Sequence, residues 1–327
     1  MKVLLTGATG FLGYRTLEKL VLHTDIDQII ATGRTRRPDA SVQHSKISYQ
    51  LGDLSEPGFA ARLVKQADCI IHAAALSSPW GRKSEFERAN VLTQNYLLEA
   101  AIKYKIRRYI FVSTPSIYFN SQDRFGIKES DPLPPKFVND YAATKYQAEL
   151  NLVASGLPYI ILRPRALIGR GDTVIMPRMI QAFKAGKLRI IGNGQNKVDL
   201  TSVANMVDAV IASVFSSPPA LGEAYNISNG NPVLLWECIE NVLSALGYTF
   251  LQKRIPYPIA NSIAGLMEWR ARATDYKEPV LTRYSVGTLA KSFSLDISKA
   301  QRLLGYVPAV TTEQALNEFV QSYTPTV

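Results

Sequence analysis

Through the first half of the chain, short apolar runs rich in β-branched residues alternate with longer stretches whose apolar positions recur at helical spacing, the pattern of successive βαβ units. Strands are predicted over 2–6, 28–32, 47–50, 69–73, 109–113 and 159–163, and helices over 11–22, 57–65, 85–105 and 141–154. Runs such as Cys69-Ile70-Ile71 and Tyr109-Ile110-Phe111-Val112 are apolar on both faces, so helices must cover a parallel sheet on each side. The expected fold class is α/β, a Rossmann-type doubly wound parallel sheet that binds ligands at the carboxyl ends of its strands. After Pro164 the alternation weakens into helices over 174–185, 205–215 and 234–246 with short extended pieces between them. We expect a nucleotide-binding domain over 1–165, to which 198–228 returns, and a smaller, mixed substrate-side lobe from 166–197 and 229–327. The apolar segment 258–269 is too short to span a bilayer. A buried helix is the plainer expectation for it, and a lid over an apolar substrate or an interfacial helix the alternatives.

With 327 residues, 46% of them hydrophobic and 20% charged, the chain can bury a large core, so disorder is not its default state. The amino terminus runs into a glycine turn without the long apolar stretch of a signal peptide. Cys69 and Cys238 are far apart in sequence, and His23, His44 and His72 share no ligand-like spacing, so we expect a reduced, cytoplasmic, metal-free protein. The net charge of +10 is spread along the chain, with no basic helical stripe interleaved with aromatics, which argues against nucleic acid as a partner. Arg34, Arg36 and Arg37 are the one local cluster that bears on function.

Directly after the first strand, Thr6-Gly7-Ala8-Thr9-Gly10-Phe11-Leu12-Gly13 opens a helix. In this context Gly7 ends the strand tightly, Gly10 lets backbone approach a pyrophosphate, and Gly13 lets helix pack on strand, while the helix start offers N–H groups to an anion. Thr9, Phe11 and Leu12 belong to the same cradle. Where the second strand ends, an NAD-binding protein usually places an acidic residue for the ribose hydroxyl. Here Gly33-Arg34 follows instead, and Arg34, with Arg36 or Arg37, suits a 2′-phosphate, so NADP(H) is expected over NAD(H). Asp53, with Leu54, stands where an adenine amino group would lie, and equally suits capping of the helix near Glu56. Ala73-Ala74-Ala75 leaves room for a ribose beside backbone.

Tyr141 and Lys145 lie four residues apart at a predicted helix start and share one face. A neighbouring ammonium should lower the phenol's pKa and fit Tyr141 to exchange a proton with a carbonyl oxygen as hydride is transferred. Ser113, Thr114 and Ser116 supply hydroxyls at the end of the fifth strand.

At these residues the chain resembles the extended branch of the short-chain dehydrogenase/reductase superfamily, with its NAD-dependent epimerase/dehydratase fold, over nearly its whole length. Thr6-Gly7-x-x-Gly10-x-x-Gly13, Tyr141-x-x-x-Lys145, Leu162-Arg163-Pro164 and Gly169-x-Gly171-Asp172 carry the likeness. The resemblance implies Thr114 as the catalytic hydroxyl, with Ser113 and Ser116 open, and Asn90 and Pro164 on the cofactor side. It also implies a homodimer. The stretches 198–205, 281–284 and 293–296 look most like the 3β-hydroxysteroid dehydrogenase and 2-alkyl-3-oxoalkanoate reductase group, whose members act on large apolar ketones or alcohols. On that reading Ser77, Trp80, Ser116, Arg165, Leu167 and Met176 are candidate substrate contacts, and peripheral contact with a membrane is compatible with the substrate. The competing readings are a sugar-nucleotide epimerase or dehydratase, with Arg165 and Arg170 on a diphosphate, and a non-catalytic NADP(H)-binding regulator.

Overall fold

Residues 3–5 are fully buried, Val3 and Leu5 in one apolar cluster and Leu4 in another, as expected of a strand covered on both faces. A computed structural model, describing residues 1–36 and 41–323, builds the large sheet around this strand. Seven parallel strands form the sheet among those residues: β1 (Lys2–Thr6), β2 (Gln28–Thr32), β3 (Ile47–Tyr49), β4 (Cys69–His72), β5 (Arg108–Val112), β6 (Tyr159–Pro164) and β7 (Glu223–Ile227). Their order is β7-β6-β5-β4-β1-β2-β3. The chain runs outward one way from β1 and then, from β4, the other way, so the crevice at the carboxyl ends of β1 and β4 is the topological switch point.

Helices Phe11–Leu20 and Val203–Phe215 cover one face through Leu17, Leu20, Met206 and Val210. Pro57–Val64, Thr93–Lys103 and Asp140–Ala154 cover the other through Leu63, Leu97, Ala101 and Leu152. A second core forms from Ile175–Lys184, Leu235–Ala245, Tyr257–Ala273 and Thr312–Ser322. Beside it a small mixed sheet joins Val233–Leu234, Lys197–Val198, Phe293–Leu295 and Arg124–Ile127, so a segment from the first half pairs with one near the carboxyl terminus. No helix among the described residues is long and apolar enough to cross a membrane.

Three features differ from the sequence reading. Strand β7, absent from the six predicted, adds to the edge at β6. The predicted helix 85–105 is broken into Lys83–Phe86, a wide π-turn over Glu87–Leu92, and Thr93–Lys103. In that turn Thr93 Oγ1 donates to the Arg88 carbonyl five residues back, and Asn90 is buried. The third difference is helix Tyr257–Ala273, which is not a buried helix. It turns Ala260, Ala264, Glu268 and Ala271 inward and leaves Leu266 at 66% and Trp269 at 67% exposure on the opposite face.

Beneath the sheet edge, the buried Arg163 guanidinium meets Glu149 (Nε to Oε1 2.9 Å, Nη2 to Oε2 2.5 Å) and also donates to the Tyr118 hydroxyl. Removing one partner of such a pair strands the other charge in the interior. Glu149→Ala should therefore lose about 3–5 kcal/mol of unfolding free energy in urea denaturation, and Glu149→Leu combined with Arg163→Met should lose less. A loss below about 1 kcal/mol in the single variant would contradict the pair's role.

Candidate active site

The switch point is shaped by close backbone approach. Gly7 ends β1 at φ +69°, and a Cβ there would stand 2.8 Å from the Ala74 nitrogen and 2.9 Å from the Ala73 carbonyl carbon. At Gly13 an added Cβ would come within 2.1 Å of the Gly7 oxygen, so the first helix packs directly on the turn. Gly10, exposed, caps helix Phe11–Leu20 without any side-chain acceptor on its first N–H groups. A Cβ at Gly10 would meet the Gly7 oxygen at 3.3 Å and otherwise enter open space. This is a cradle that fits a pyrophosphate. Thr9 fills the space beside Gly33, whose Cβ would fall 2.3 Å from its hydroxyl, so the end of β2 is drawn against the turn. Phe11 borders Gly171, while the Leu12 side chain packs toward the core.

Around the cradle, Arg34 is exposed immediately after Gly33. Arg36 lies over the Tyr49 ring at 4.4 Å, and Arg37 lies outside the described residues. Asp53 accepts from the Ser55 backbone N–H (2.8 Å) and from Arg88 Nη2 (2.8 Å). Those contacts, Ser55 first, hold its carboxyl below the ordinary range. It does not cap helix Pro57–Val64, whose N-cap is Glu56, so of its two readings the helix cap falls away. Leu54 is buried with Phe59. Ala73 and Ala74 line the exit of β4 and Ala75 is exposed. Asn90 accepts from the Leu76 N–H (2.8 Å) and donates to Thr144 Oγ1 (3.1 Å), which ties this loop to helix Asp140–Ala154.

Asn139 caps that helix by accepting from Ala142 N–H, which sets Tyr141 in its first turn. The phenol of half-buried Tyr141 lies beside the hydroxyls of exposed Ser77 and buried Thr114. Burial raises its pKa, and those two hydroxyls offset part of the rise. Lys145 is buried one turn on, donates to the Val112 carbonyl at 2.7 Å and stands 3.9 Å from the centre of the Phe111 ring. Loss of hydration takes its pKa down to about 7. The expectation that Lys145 lowers the Tyr141 pKa is thus corrected. Both groups are moved chiefly by burial, each toward its neutral form.

Thr114 caps the short 3-10 turn Pro115–Tyr118 by accepting from the Ser116 N–H at 3.2 Å, and its own hydroxyl donates to Ser116 Oγ at 3.0 Å. Ser113 Oγ is buried without a hydrogen-bond partner. Ser116 Oγ is also bonded to Tyr284 OH at 2.9 Å, a residue the sequence reading left outside the site. His72 was likewise missed. Its Nδ1 pairs with Thr6 Oγ1 at 2.7 Å, and burial takes its pKa down to about 3, so it is a neutral support for the β1–β4 contact.

The candidate substrate residues separate. Trp80 donates to the Tyr276 carbonyl at 2.9 Å, tying the loop after β4 to the segment following helix Tyr257–Ala273. Arg165 lies over Phe293 at 4.8 Å, beside the half-buried Pro164 that ends β6. Leu167 packs on the large core, and Met176 is 1% exposed inside the second core, so its side chain is packing material rather than pocket wall. Arg170 is bound by Glu18 through bonds of 2.9 and 2.6 Å. Among the described residues no group of His, Cys, Asp and Glu could hold a metal.

Lys145 gives a stability signature. Its pKa falls from 10.5 when unfolded to about 7 when folded, so between these values the unfolded chain binds more protons and stability rises with pH. Lys145→Met removes a buried cation and should be more stable than the parent near pH 7. The difference, followed by denaturation at several pH values, should shrink toward pH 10. A pH-independent difference would contradict the burial of this amine.

Residues 3–228 match the model of the NAD dependent epimerase/dehydratase family. The 2-alkyl-3-oxoalkanoate reductase of Stenotrophomonas maltophilia is 32% identical, over 98% of this chain and 99% of that protein. The 3beta-hydroxysteroid-dehydrogenase/decarboxylase isoform 1 of Arabidopsis thaliana is 29% identical, over 97% of this chain and 78% of that protein. In three dimensions the chain is similar to UDP-glucuronic acid 4-epimerase from Bacillus cereus in complex with NAD, with a TM-score of 0.78, 21% identity and 98% of each chain covered. That likeness concerns the fold. The chain belongs to the NAD dependent epimerase/dehydratase family, within the extended short-chain dehydrogenase/reductase group.

Proposed function

We propose that the protein is an NADP(H)-dependent oxidoreductase that reduces a hydrophobic ketone, a β-keto acyl or steroid-like compound, to a secondary alcohol, or runs the reverse. The observation that carries this reading is the meeting of the half-buried Tyr141 phenol with the Ser77 and Thr114 hydroxyls at the carboxyl edge of the sheet, one helical turn from Lys145. A nicotinamide, when bound, supplies or accepts the hydride. Tyr141, kept protonated by burial, gives its proton to the developing alkoxide, and Thr114 orients the carbonyl oxygen. Lys145 lies one turn on in the same helix to hold the nicotinamide ribose.

Two arginines bear on the substrate. A sugar-nucleotide reading asks Arg165 and Arg170 to bind a diphosphate, but Arg170 is taken by Glu18 and Arg165 lies against Phe293. The names of the two relatives, a reductase of alkyl oxoalkanoates and a hydroxysteroid dehydrogenase, favour an apolar ketone. For the cofactor, exposed Arg34 after Gly33 suits the 2′-phosphate of NADP(H). Exposed Leu150 and Val153 on helix Asp140–Ala154 suit a homodimer face.

Tyr141→Phe should lower turnover of a 2-alkyl-3-oxoalkanoate ester by about 10²–10⁴-fold while keeping the cofactor's dissociation constant. Normal turnover in that variant would overturn the reading. Arg34→Ala should cut kcat/KM for NADPH by roughly 10- to 100-fold and leave that for NADH nearly unchanged, since a charge-assisted contact of about 1.5–3 kcal/mol is lost. An equal loss with both cofactors, or a parent enzyme that prefers NADH, would remove the NADP(H) assignment.

A further inference from the structure

Helix Tyr257–Ala273 carries apolar residues on two opposite faces. On the inner one, Ala260 and Ala264 sit in the second core, and Glu268 accepts the Arg283 N–H at 2.8 Å. On the outer one, Ile259, Ile263, Leu266 and Trp269 follow one another at steps of three and four residues, and all four are exposed. They form one continuous stripe. The helix that bears it is fastened at both ends. Just before it, Arg254–Ile255 pairs with Ile190–Ile191. At its far end Arg272 lies over the Trp80 ring at 5.1 Å, and Trp80 donates to the Tyr276 carbonyl at 2.9 Å. The stripe is thus a fixed surface, not the underside of a lid.

Cations bracket it. Lys253 and Arg254 stand exposed before the helix and Arg270 exposed in its last turn. The stretch 182–189, which leads into the paired strand Ile190–Ile191, adds exposed Lys184 and Lys187 and contains no carboxylate. Among the described residues none of these five cations is paired with an acid. The carboxylates close by are already engaged: Glu268 is buried, Asp275 accepts the Lys277 N–H at 3.1 Å, and Glu278 is bonded to Arg178 at 3.0 Å. A second copy of the chain fits this surface poorly. Both ends of the stripe are cationic, so two copies laid together in either direction would oppose like charges. An apolar stripe with a tryptophan, bracketed by free Lys and Arg, matches the boundary of an anionic bilayer, where apolar groups enter and cations meet the headgroups.

We propose that helix Tyr257–Ala273 docks the protein flat on an anionic lipid surface through Ile259, Ile263, Leu266 and Trp269. Vesicle binding reads this without substrate or cofactor, so it stands or falls apart from the reaction assigned above. Vesicles of phosphatidylcholine and phosphatidylglycerol in equal parts should sediment the full chain and shift the tryptophan emission to the blue, since Trp269 is exposed while Trp236 is buried and Trp80 half-buried. Phosphatidylcholine vesicles should bind far less. Leu266→Gln combined with Trp269→Gln should keep the parent melting temperature and weaken binding at least about 10-fold. Lys253→Gln combined with Arg254→Gln should weaken it about 5-fold or more. Absence of binding to the anionic vesicles, equal binding to both kinds, or binding unchanged in the Leu266/Trp269 variant would overturn the proposal. So would a dimer in light scattering that this variant splits while the parent leaves vesicles unbound, which would give the stripe to a second copy.

Discussion

The structure turns on how closely the end of β1 approaches the exit of β4. Gly7, Gly13 and Gly33 each stand where a Cβ would fall within 3 Å of a neighbour, and the neighbours are backbone at Gly7 and Gly13. That crowding cannot be relieved by a side-chain rotation. It brings the open helix start at Gly10, the end of β2 and the alanines after β4 around one crevice, and the buried Thr6–His72 pair holds the two strands in register below it. Everything assigned to cofactor binding hangs from this contact.

Chemistry is placed by a second constraint, the burial of Ala142, Thr144 and Lys145 in helix Asp140–Ala154, which leaves Tyr141 half-buried at its start. Burial keeps Tyr141 protonated and makes the charged form of Lys145 costly, so the pair is not an isolated phenolate and ammonium. The interior instead offers oriented neutral donors, and the Val112 carbonyl and Phe111 ring receive what charge Lys145 carries. Two segments far along the chain reach this corner. Tyr284 reaches the hydroxyl row, and Tyr276 holds the loop of Trp80. The lobe after Pro164 thus contributes to the corner as well as walling it.

The sheet was legible because strands buried on both faces leave a run of apolar residues with no helical period, as in Cys69-Ile70-Ile71. Gly7 and Gly13 were legible because backbone crowding admits few other residues, and Gly10 because it stands between them at the helix start. Less could be read where tertiary contacts decide. The π-turn holding Asn90 depends on the loop after β4 and on Thr144, neither visible from the periodicity of 85–105. The outward face of Tyr257–Ala273 follows from its alanines packing on the second core, while its sequence reads simply as apolar. Direction of the Tyr141 pKa shift depends on burial, which Tyr-x-x-x-Lys spacing does not encode. Tyr284, 168 residues from Ser116, left no local signal at all.

The central claim is that this corner directs hydride to a ketone carbon while Tyr141 protonates its oxygen. Incubation with NADPH carrying deuterium at the transferable nicotinamide position, followed by mass spectrometry of the product of a 2-alkyl-3-oxoalkanoate ester, tests it most directly. The account predicts an alcohol with one deuterium on the former carbonyl carbon and an equal amount of NADP⁺. Cofactor oxidation without label in the alcohol, or a sugar nucleotide epimerised with no net change in the cofactor while the ketone is left untouched, would contradict it.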